Sequence, residues 1–550
     1  RAFKPGDFHA AQQIDSMTVA GERLTLVTTP QANDPILAVR LDAPLDLTLG
    51  GKTIAVTLVS LGGMALAVTL LLNGLLARHP GRRLRRLADF FRARPAGALL
   101  AAAAAAVAVQ CNPVLFFGRS FVSPNNGVFL LYDSFPTLPG YASTDVENAM
   151  GADIGALMWS HLNLPVIEHE ALFKSRELPL WNRYDLAGTP LLGQGQSMFG
   201  DPLNWLTIAA DGASWAWDVR FLLLRVFFAF GTGLAVWLLA RHLGAALLVT
   251  FSVVFIGFFA FRFNHPAIFS VCWSPWILVG WCWLLEAGTR RGRNLALAAL
   301  VLAHGCMLTS GTIKEAAALT VCLDLAGVCL MLTSAEAWRP RLVRLGWAAF
   351  AGVVFLLLSA PLWLVFLDTL RKSHTYYDTP GAAQISPALF LGLFEDLFYR
   401  QLRPGETMAE PSTNFVVLFG LLWALAALRS TLADRRFVAV AAAACVPIAL
   451  VFGLVPAGWI VRVPFLANVI HIDNTFSCPL LVLLPVLAGF GFAQAARQLH
   501  QPGWLARWAV ATALLGLLAA VYFVSTRQTA KSPFFDGYAA ALFPILVLAP

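Results

Sequence analysis

Long apolar stretches separated by short polar segments recur along most of the chain. Stretches of about 17 to 25 residues have the length that crosses a bilayer as a helix. The alternation typical of an outer-membrane barrel is missing. We therefore predict an all-α polytopic membrane protein with about thirteen transmembrane helices. The predicted spans lie near 53–77, 96–117, 219–240, 244–261, 267–286, 295–310, 315–333, 346–367, 413–428, 437–455, 479–496, 508–525 and from 537 onward.

The composition supports a membrane protein. Hydrophobic residues make up 58% of the 550 residues and charged residues 13%, about half the usual ~25% of soluble proteins. This balance excludes soluble, disordered and disulfide-scaffold proteins. The eight cysteines lie almost wholly within apolar runs, with no CxxC pair, so we interpret them as small core residues.

The basic residues indicate the topology. The net charge of +8 would suggest nucleic acid in a soluble chain, but here the arginines fall in alternate loops, and no nucleic-acid partner is predicted. The segment 78–95 carries seven arginines and is predicted to be cytoplasmic. The other predicted inner loops contain Arg241, Arg290, Arg291, Arg293, Arg339, Arg341, Arg344, Arg429, Arg435, Arg436, Arg497 and Arg507. We predict a multi-pass protein of a bacterial inner membrane.

This topology divides the chain into four parts. They are a periplasmic β-rich segment (1–52), the first two spans (53–117), a large periplasmic loop (118–218) and a helical core (219–550) with outer loops 368–412 and 456–478. Within 1–52, LTLVTT and AVRLDAPLDLTL alternate as half-buried strands do. No apolar run precedes this outer segment, so we expect a fragment that lacks an upstream targeting or anchoring segment.

The large loop contains the candidate acids. Asp133, Asp145, Glu147 and Asp153 lie just outside a predicted span, where a base would meet a membrane-bound substrate. Solvated acids and helix caps are the alternatives. Asp153 precedes a segment with helical apolar spacing, which we expect to lie along the membrane surface. The loop tryptophans suit an interfacial position, namely Trp181, Trp205, Trp215 and Trp217.

A resemblance to a known family rests on the string LPLWNRYDLAGTPLLGQGQSMFGDPLNWL at 178–206. The order of Asp153, an amphipathic stretch, PLWN, a Gly and PL, a Gln–Ser pair and FGDPLN resembles the YfhO-like bacterial membrane proteins, relatives of the GT-C glycosyltransferases. Weaker similarity extends to SGTIKEAA at 310–317, to the loop after 368 and to 464–496. The sequence departs from the family pattern at PFLANVIHIDNTF (464–476), where an Arg is expected.

The resemblance implies an inverting transfer of a sugar from polyprenyl phosphate to a lipid or glycan acceptor on the periplasmic face. The implied base is Asp153, with Asp145 as the second choice. We assign no cofactor with certainty, and a divalent metal stays possible. Further substrate-binding candidates in the outer loops are Asp133, Glu147, Trp181, Asn182, Tyr376, Tyr377, His471 and Asp473.

Cations beside apolar spans are candidates for binding the donor phosphate. A charge in the bilayer costs at least ~2.5 kcal/mol, so a charged residue there usually has a functional or structural role. These are Lys314, Arg225, His265 and Arg371. Lys314 could instead pair with Glu315, and Arg225 could reach the interface or pair with a helix carboxylate.

Two further points limit the candidate chemistry. His471 and Asp473 could form a polar pocket, but their spacing gives no ground for a shared metal. HExxH, P-loop and GxGxxG motifs are absent from the sequence.

Two alternatives to glycosyl transfer remain open. A transporter or lipid flippase would use charges inside spans, such as Asp324, although we find no internal repeat. We expect a buried polar contact at Asp324. A non-catalytic scaffold for polysaccharide assembly is the other alternative.

Overall fold

A computed structural model describes the larger part of the chain, and within it the chain is mostly helical. The described residues are 14–20, 23–28, 89, 91, 93–116, 120–121, 163–184, 188–193, 199–261, 266–372, 380–394, 412–498, 501–511, 513, 514 and 517. The spans predicted at 53–77 and from 537 onward lie outside these residues, as does most of 508–525.

The helices are numbered here in chain order. They are α1 (Pro95–Gln110), α2 (Asn112–Phe116), α3 (Leu164–His169), α4 (Asn204–Ala209), α5 (Ser214–Ala240), α6 (Leu243–Ser252), α7 (Gly257–Phe261), α8 (Ala267–Trp273), α9 (Pro275–Glu286), α10 (Arg290–Ser310), α11 (Ile313–Thr333), α12 (Trp338–Leu358), α13 (Ala360–Lys372), α14 (Phe415–Ala426), α15 (Leu428–Leu432), α16 (Arg435–Val451), α17 (Ala457–Ile460) and α18 (Ile472–Gln498). A π-helical turn (Glu170–Ser175) follows α3. Short 3-10 helices lie at Val253–Phe255, Pro387–Leu393 and Leu466–Asn468.

Among the described residues, six helices are long and apolar enough to cross a membrane. They are Ser214–Ala240, Ala267–Glu286, Arg290–Ser310, Ile313–Thr333, Trp338–Leu358 and Ile472–Gln498. Three shorter apolar helices lie at Pro95–Gln110, Leu243–Phe259 and Val416–Ala426. The helical membrane-protein class is confirmed, and the total of about thirteen spans stays a prediction.

Two spans differ from their predicted bounds at prolines. The span predicted at 346–367 is interrupted at Ser359, because Pro361 at the start of α13 has no N–H for a helical hydrogen bond. In contrast, α18 begins at Ile472, before the predicted start at 479, and continues through Pro479 and Pro485. Prolines are tolerated inside buried membrane helices, where neighbouring groups satisfy the freed carbonyls.

Helix α18 is the centre of the bundle, with 94% of its most apolar window buried. Glycines let its neighbours approach closely. A Cβ atom at Gly491 would lie 1.8 Å from the carbonyl oxygen of Gly420 on α14, and one at Gly489 would lie 2.4 Å from Val236 on α5. Small residues at such crossings bring helix backbones into contact in membranes. The surface of α12, with 6% of its window buried, suits contact with lipid.

A polar contact inside the bundle joins three spanning helices. Asp324 on α11 accepts hydrogen bonds from Trp281 Nε1 on α9 at 2.8 Å and faces His304 Nε2 on α10 at 3.0 Å. The polar contact predicted at Asp324 is observed, but the Asp324 side chain is 35% exposed and is therefore not buried as predicted. All eight cysteines are free, and most are buried, as predicted for core residues.

The exposed fraction separates the four loop tryptophans into two groups. Trp181, Trp205 and Trp215 are exposed, in line with the predicted interfacial position. Trp217 is fully buried, so its predicted interfacial position is wrong. It lies on the face of α5 that packs against Phe269.

The described part of 1–52 is an antiparallel hairpin. Strand β1 (Ile14–Ala20) pairs with β2 (Arg23–Thr28), with Ala20 opposite Arg23. The strand predicted at LTLVTT (24–29) is observed through Thr28, and the one predicted at 38–49 lies outside the described residues. A second short hairpin pairs β3 (Trp181–Asn182) with β4 (Thr189–Pro190).

Candidate functional site

Arginines from four predicted inner loops meet at one end of the bundle, called the arginine end below. Arg436 and Arg497 donate to carbonyl groups in the last turn of α5, and Arg344 donates to the last turn of α9. Arg241 forms an ion pair with Glu286. Cations are stabilised at helix C-termini by the helix dipole.

The helix directions define the opposite end. α5 begins there at Ser214, α10 and α11 meet there at 310–313, and α18 begins there at Ile472. Residues 163–184, 188–193 and 199–213, called the cap layer, pack over this end. A Cβ atom at Gly200 would lie 2.7 Å from Thr309 at the end of α10, and one at Gly193 would meet Val365 on α13 at the same distance.

A buried polar cluster fastens the cap layer to α5. Arg220 on α5 pairs with Asp201 and donates to Asn204 Oδ1 at 2.7 Å. The Thr207 hydroxyl lies 2.7 Å from the backbone carbonyl of Asn204 and 2.8 Å from its Oδ1 atom, and Asn204 Nδ2 donates to Glu168 Oε2 on α3 at 3.3 Å. All five side chains are buried to 0% exposure. Two carboxyl groups therefore share one cation out of contact with water.

The protonation of this cluster follows from its burial. Desolvation raises the pKa of Glu168 to about 8, although Arg220 and the hydrogen bond from Asn204 act in the opposite direction. Glu168 is therefore mostly a neutral carboxylic acid at neutral pH. A buried group with such a pKa is suited to hold or release a proton under physiological conditions.

A second anchor ties the beginning of the large loop to α5. Asp218 Oδ1 accepts hydrogen bonds from the backbone N–H of Phe121 at 2.7 Å and from Ser120 Oγ at 3.0 Å. Residues 120–121, which follow the second predicted span, are therefore held beside the first turns of α5.

Lys314 lies at the start of α11, at the same end of the bundle. Its Nζ atom is 3.6 Å from Glu315 Oε1, and its side chain is about a third exposed, at 30%. Thr312 donates a hydrogen bond to Glu315, which is buried. Lys314 therefore pairs with Glu315, which was the alternative to phosphate binding. Its side chain also keeps an exposed surface that an anion could approach.

His471 and Asp473 also lie at this end, where α18 begins. Asp473 is fully buried, and His471 Nδ1 is 3.8 Å from its Oδ1 atom. The backbone N–H of Asp473 donates to the carbonyl of Ala383 at 3.0 Å, which joins the segment 380–386 to the helix start. An acidic residue in the first turn is stabilised by the helix dipole.

Arg225 is enclosed by the bundle. It has 0% exposure, donates to the backbone carbonyls of Phe221 and Phe259, and lies 4.7 Å from the ring centroid of Phe121. Aromatic faces and carbonyl oxygens, rather than the interface or a helix carboxylate, surround this cation. Its position offers no surface to a phosphate.

The remaining predicted site residues fall into two groups. Asn182 is buried in the cap layer, whereas Trp181 and Arg371 are exposed. The other predicted residues lie outside the described residues, namely Asp133, Asp145, Glu147, Asp153, His265, Tyr376 and Tyr377. Within the part of the chain that the structure describes, no group of three or more His, Cys, Asp or Glu side chains is placed to hold a metal ion.

The sequence analysis did not assign a role to the Glu168 cluster. Two signals could have indicated it. Arg220 is a charge inside an apolar span, which by default marks a functional or paired site. Asp201 and Asn204 belong to FGDPLN, the most distinctive part of the string at 178–206.

Comparisons with known proteins do not assign a family. No protein-family model matches the chain, and no curated protein matches it.

Proposed function

We propose that the chain is a membrane glycosyltransferase that moves a sugar from a polyprenyl-phosphate donor to an acceptor at the end opposite the arginine end. By the positive-inside rule, this end faces the periplasm. The observation that supports the proposal is the set of polar groups at the capped end. Buried carboxyl groups and the partly exposed Lys314 lie there, and the arginines of four predicted inner loops meet at the opposite end.

The reaction would be a direct displacement at the anomeric carbon. The bond from this carbon to the lipid phosphate oxygen breaks, a bond to the acceptor oxygen forms with inversion, and the hydroxyl proton passes to a carboxylate. A positioned base typically contributes about 10² to 10⁴ in rate. We assign this role to Asp153, with Asp145 as the second choice, in the large loop.

The departing lipid phosphate needs a cation. Lys314 is a better candidate than Arg225, since its ammonium group is partly exposed at the correct end, whereas Arg225 is enclosed. A fixed positive charge beside the leaving phosphate stabilises the charge that develops in the transition state.

Release of polyprenyl phosphate by the purified protein tests the proposal. The substrates are a panel of polyprenyl-phosphate sugars with lipid and glycan acceptors. We compare the wild type with Asp153→Asn and with Asp211→Asn as a matched control. Asp211 lies in the turn before α5 with a left-handed backbone (φ 52°), a conformation that Asn also tolerates.

We expect release by the wild type and by Asp211→Asn, and a loss of about 10²-fold or more in Asp153→Asn. Equal release by all three proteins would move the base to Asp145 or Asp133. No release from any donor would contradict the proposal.

A transporter or flippase is the second candidate, and the contact between Asp324 and His304 favours it. Ionisable groups inside spans often mark ion or substrate pathways. Asp324→Asn separates the two functions. A transporter would lose movement of labelled polyprenyl phosphate between leaflets, whereas a glycosyltransferase would keep its rate of release.

A further inference from the structure

One carboxyl oxygen of the Glu168 cluster is buried without a hydrogen-bond donor in the part of the chain that the structure describes. Asn204 Oδ1 accepts a hydrogen bond from Arg220 at 2.7 Å, and because arginine can only donate, this fixes the orientation of the amide. Its Nδ2 atom therefore faces Glu168 and gives Oε2 one hydrogen bond at 3.3 Å. Glu168 Oε1 is buried and has no hydrogen-bond partner among the described residues.

An ionised carboxylate is poorly supported in this position. It would need several donors to replace its hydration, and it would add a second negative charge beside the pair of Arg220 and Asp201. A neutral carboxylic acid leaves the cluster with no net charge. Among the described residues, the charged groups beside Glu168 on other elements are Arg220 on α5 and Asp201 before α4. His169 is turned away and faces the carbonyl of Ile208 at 2.8 Å.

We propose that Glu168 is a proton-binding site whose proton holds the segment Leu164–Ser175 against α4 and α5. Removing the proton releases this segment from the rest of the cap layer. The site binds a proton whether or not the protein transfers a sugar.

The direction of the pH effect follows from linkage. Burial raises the pKa of Glu168 from its ordinary value of 4.5 to about 8 in the docked segment. In the released segment the carboxyl group meets water and returns to its ordinary pKa. Between these two values the docked state binds more protons, so docking weakens as the pH rises. Above about pH 8 both states are ionised, and the equilibrium becomes constant.

Amide hydrogen exchange of the full chain in detergent, followed by peptide mass analysis, measures the docking. Rates are divided by the intrinsic rate at each pH, and peptides of α18 serve as the internal reference. For one proton, the opening equilibrium of Leu164–Ser175 should rise by up to about tenfold per pH unit from pH 5 to 8 and then level off. A flat response in the wild type would overturn the proposal.

Two variants locate the response. Glu168→Gln keeps the shape and removes the titration, so its exchange should not vary with pH. Glu177→Gln removes an exposed acid from the same region, where Glu177 pairs with Arg183 and both are 60% exposed, and it should keep the wild-type response. A wild-type response in Glu168→Gln would place the proton elsewhere and overturn the proposal.

If Glu168→Gln does not fold, a measurement on the wild type still tests the proposal. Infrared difference spectra should show a protonated carboxyl band that disappears near pH 8. In Asp201→Asn, Glu168 becomes the counter-ion of Arg220, so this band should disappear at a lower pH. A spectrum in which no carboxyl band titrates between pH 6 and 9 would contradict the proposal.

Discussion

At the scale of single residues, two arginines in one helix show what the sequence can and cannot predict. Arg220 and Arg225 both interrupt the apolar pattern of α5, and both are fully buried. Arg220 is neutralised by Asp201, whereas Arg225 is held by backbone carbonyls and aromatic rings. A charge within an apolar helix predicts that some other group must stabilise it. The partner of Arg220 lies 19 residues away in a loop, so spacing within the helix could not predict it.

Replacing the buried arginine should destabilise the protein strongly. Arg220→Met keeps much of the side-chain length but leaves Asp201 buried without its cation, which typically costs about 3 to 5 kcal/mol. Arg183→Met, in an exposed pair with Glu177, should cost about 1 kcal/mol or less. Thermal unfolding of both variants in detergent measures the difference. Equal unfolding temperatures would show that the cluster does not stabilise the cap layer.

Replacing the candidate phosphate cation should reduce activity without unfolding the protein. Lys314→Met removes a partly exposed charge at the proposed site, and we expect polyprenyl phosphate release to fall by roughly 10²-fold. Lys372→Met is the control, because Lys372 pairs with Asp368 at the exposed end of α13. Wild-type release by Lys314→Met would remove Lys314 from the site.

At the scale of helices, the length of the apolar stretches predicted where the helices lie, but it predicted their first and last residues less accurately. The span predicted at 315–333 is observed at Ile313–Thr333. Pro361 ends one helix, whereas Pro479 and Pro485 leave another continuous. The difference arises from burial. Neighbouring helices enclose α18, while α13 has no buried residue, and burial depends on packing that one segment does not reveal.

The contact between α14 and α18 should be intolerant of a single methyl group. Gly491→Ala would place a Cβ atom against the carbonyl of Gly420, and overpacking of this kind typically costs about 1 to 3 kcal/mol. Gly352→Ala on α12 has open space around it and should be neutral or slightly stabilising. The same substitution in two spanning helices thus gives opposite outcomes in thermal unfolding. Similar losses in both variants would argue against this crossing.

At the scale of the whole molecule, the alternation of basic loops predicted that arginines far apart in sequence share one end of the bundle. Arg344, Arg436 and Arg497 do meet at one end, and which side of the membrane this end faces stays a prediction. The cap layer at the other end could not be derived in the same way. Its attachment depends on contacts such as the pair of Asp201 with Arg220 on α5, which leave no periodic signal.

Labelling with a membrane-impermeant maleimide should show which end is outside. In intact spheroplasts, Glu177→Cys in the cap layer should react, and Arg290→Cys at the start of α10 should react only after permeabilisation. The parent protein with its eight native cysteines gives the background. The reverse labelling pattern would place the cap layer in the cytoplasm.

The most direct test of sugar transfer at the capped end uses sealed proteoliposomes of known orientation. A short-chain polyprenyl-phosphate sugar and a water-soluble acceptor are added from outside, and release of polyprenyl phosphate is measured. We predict release when the cap layer faces outward, and none from the opposite orientation until the vesicles are opened with detergent. Release only when the arginine end faces outward, or no release even after opening, would contradict this prediction.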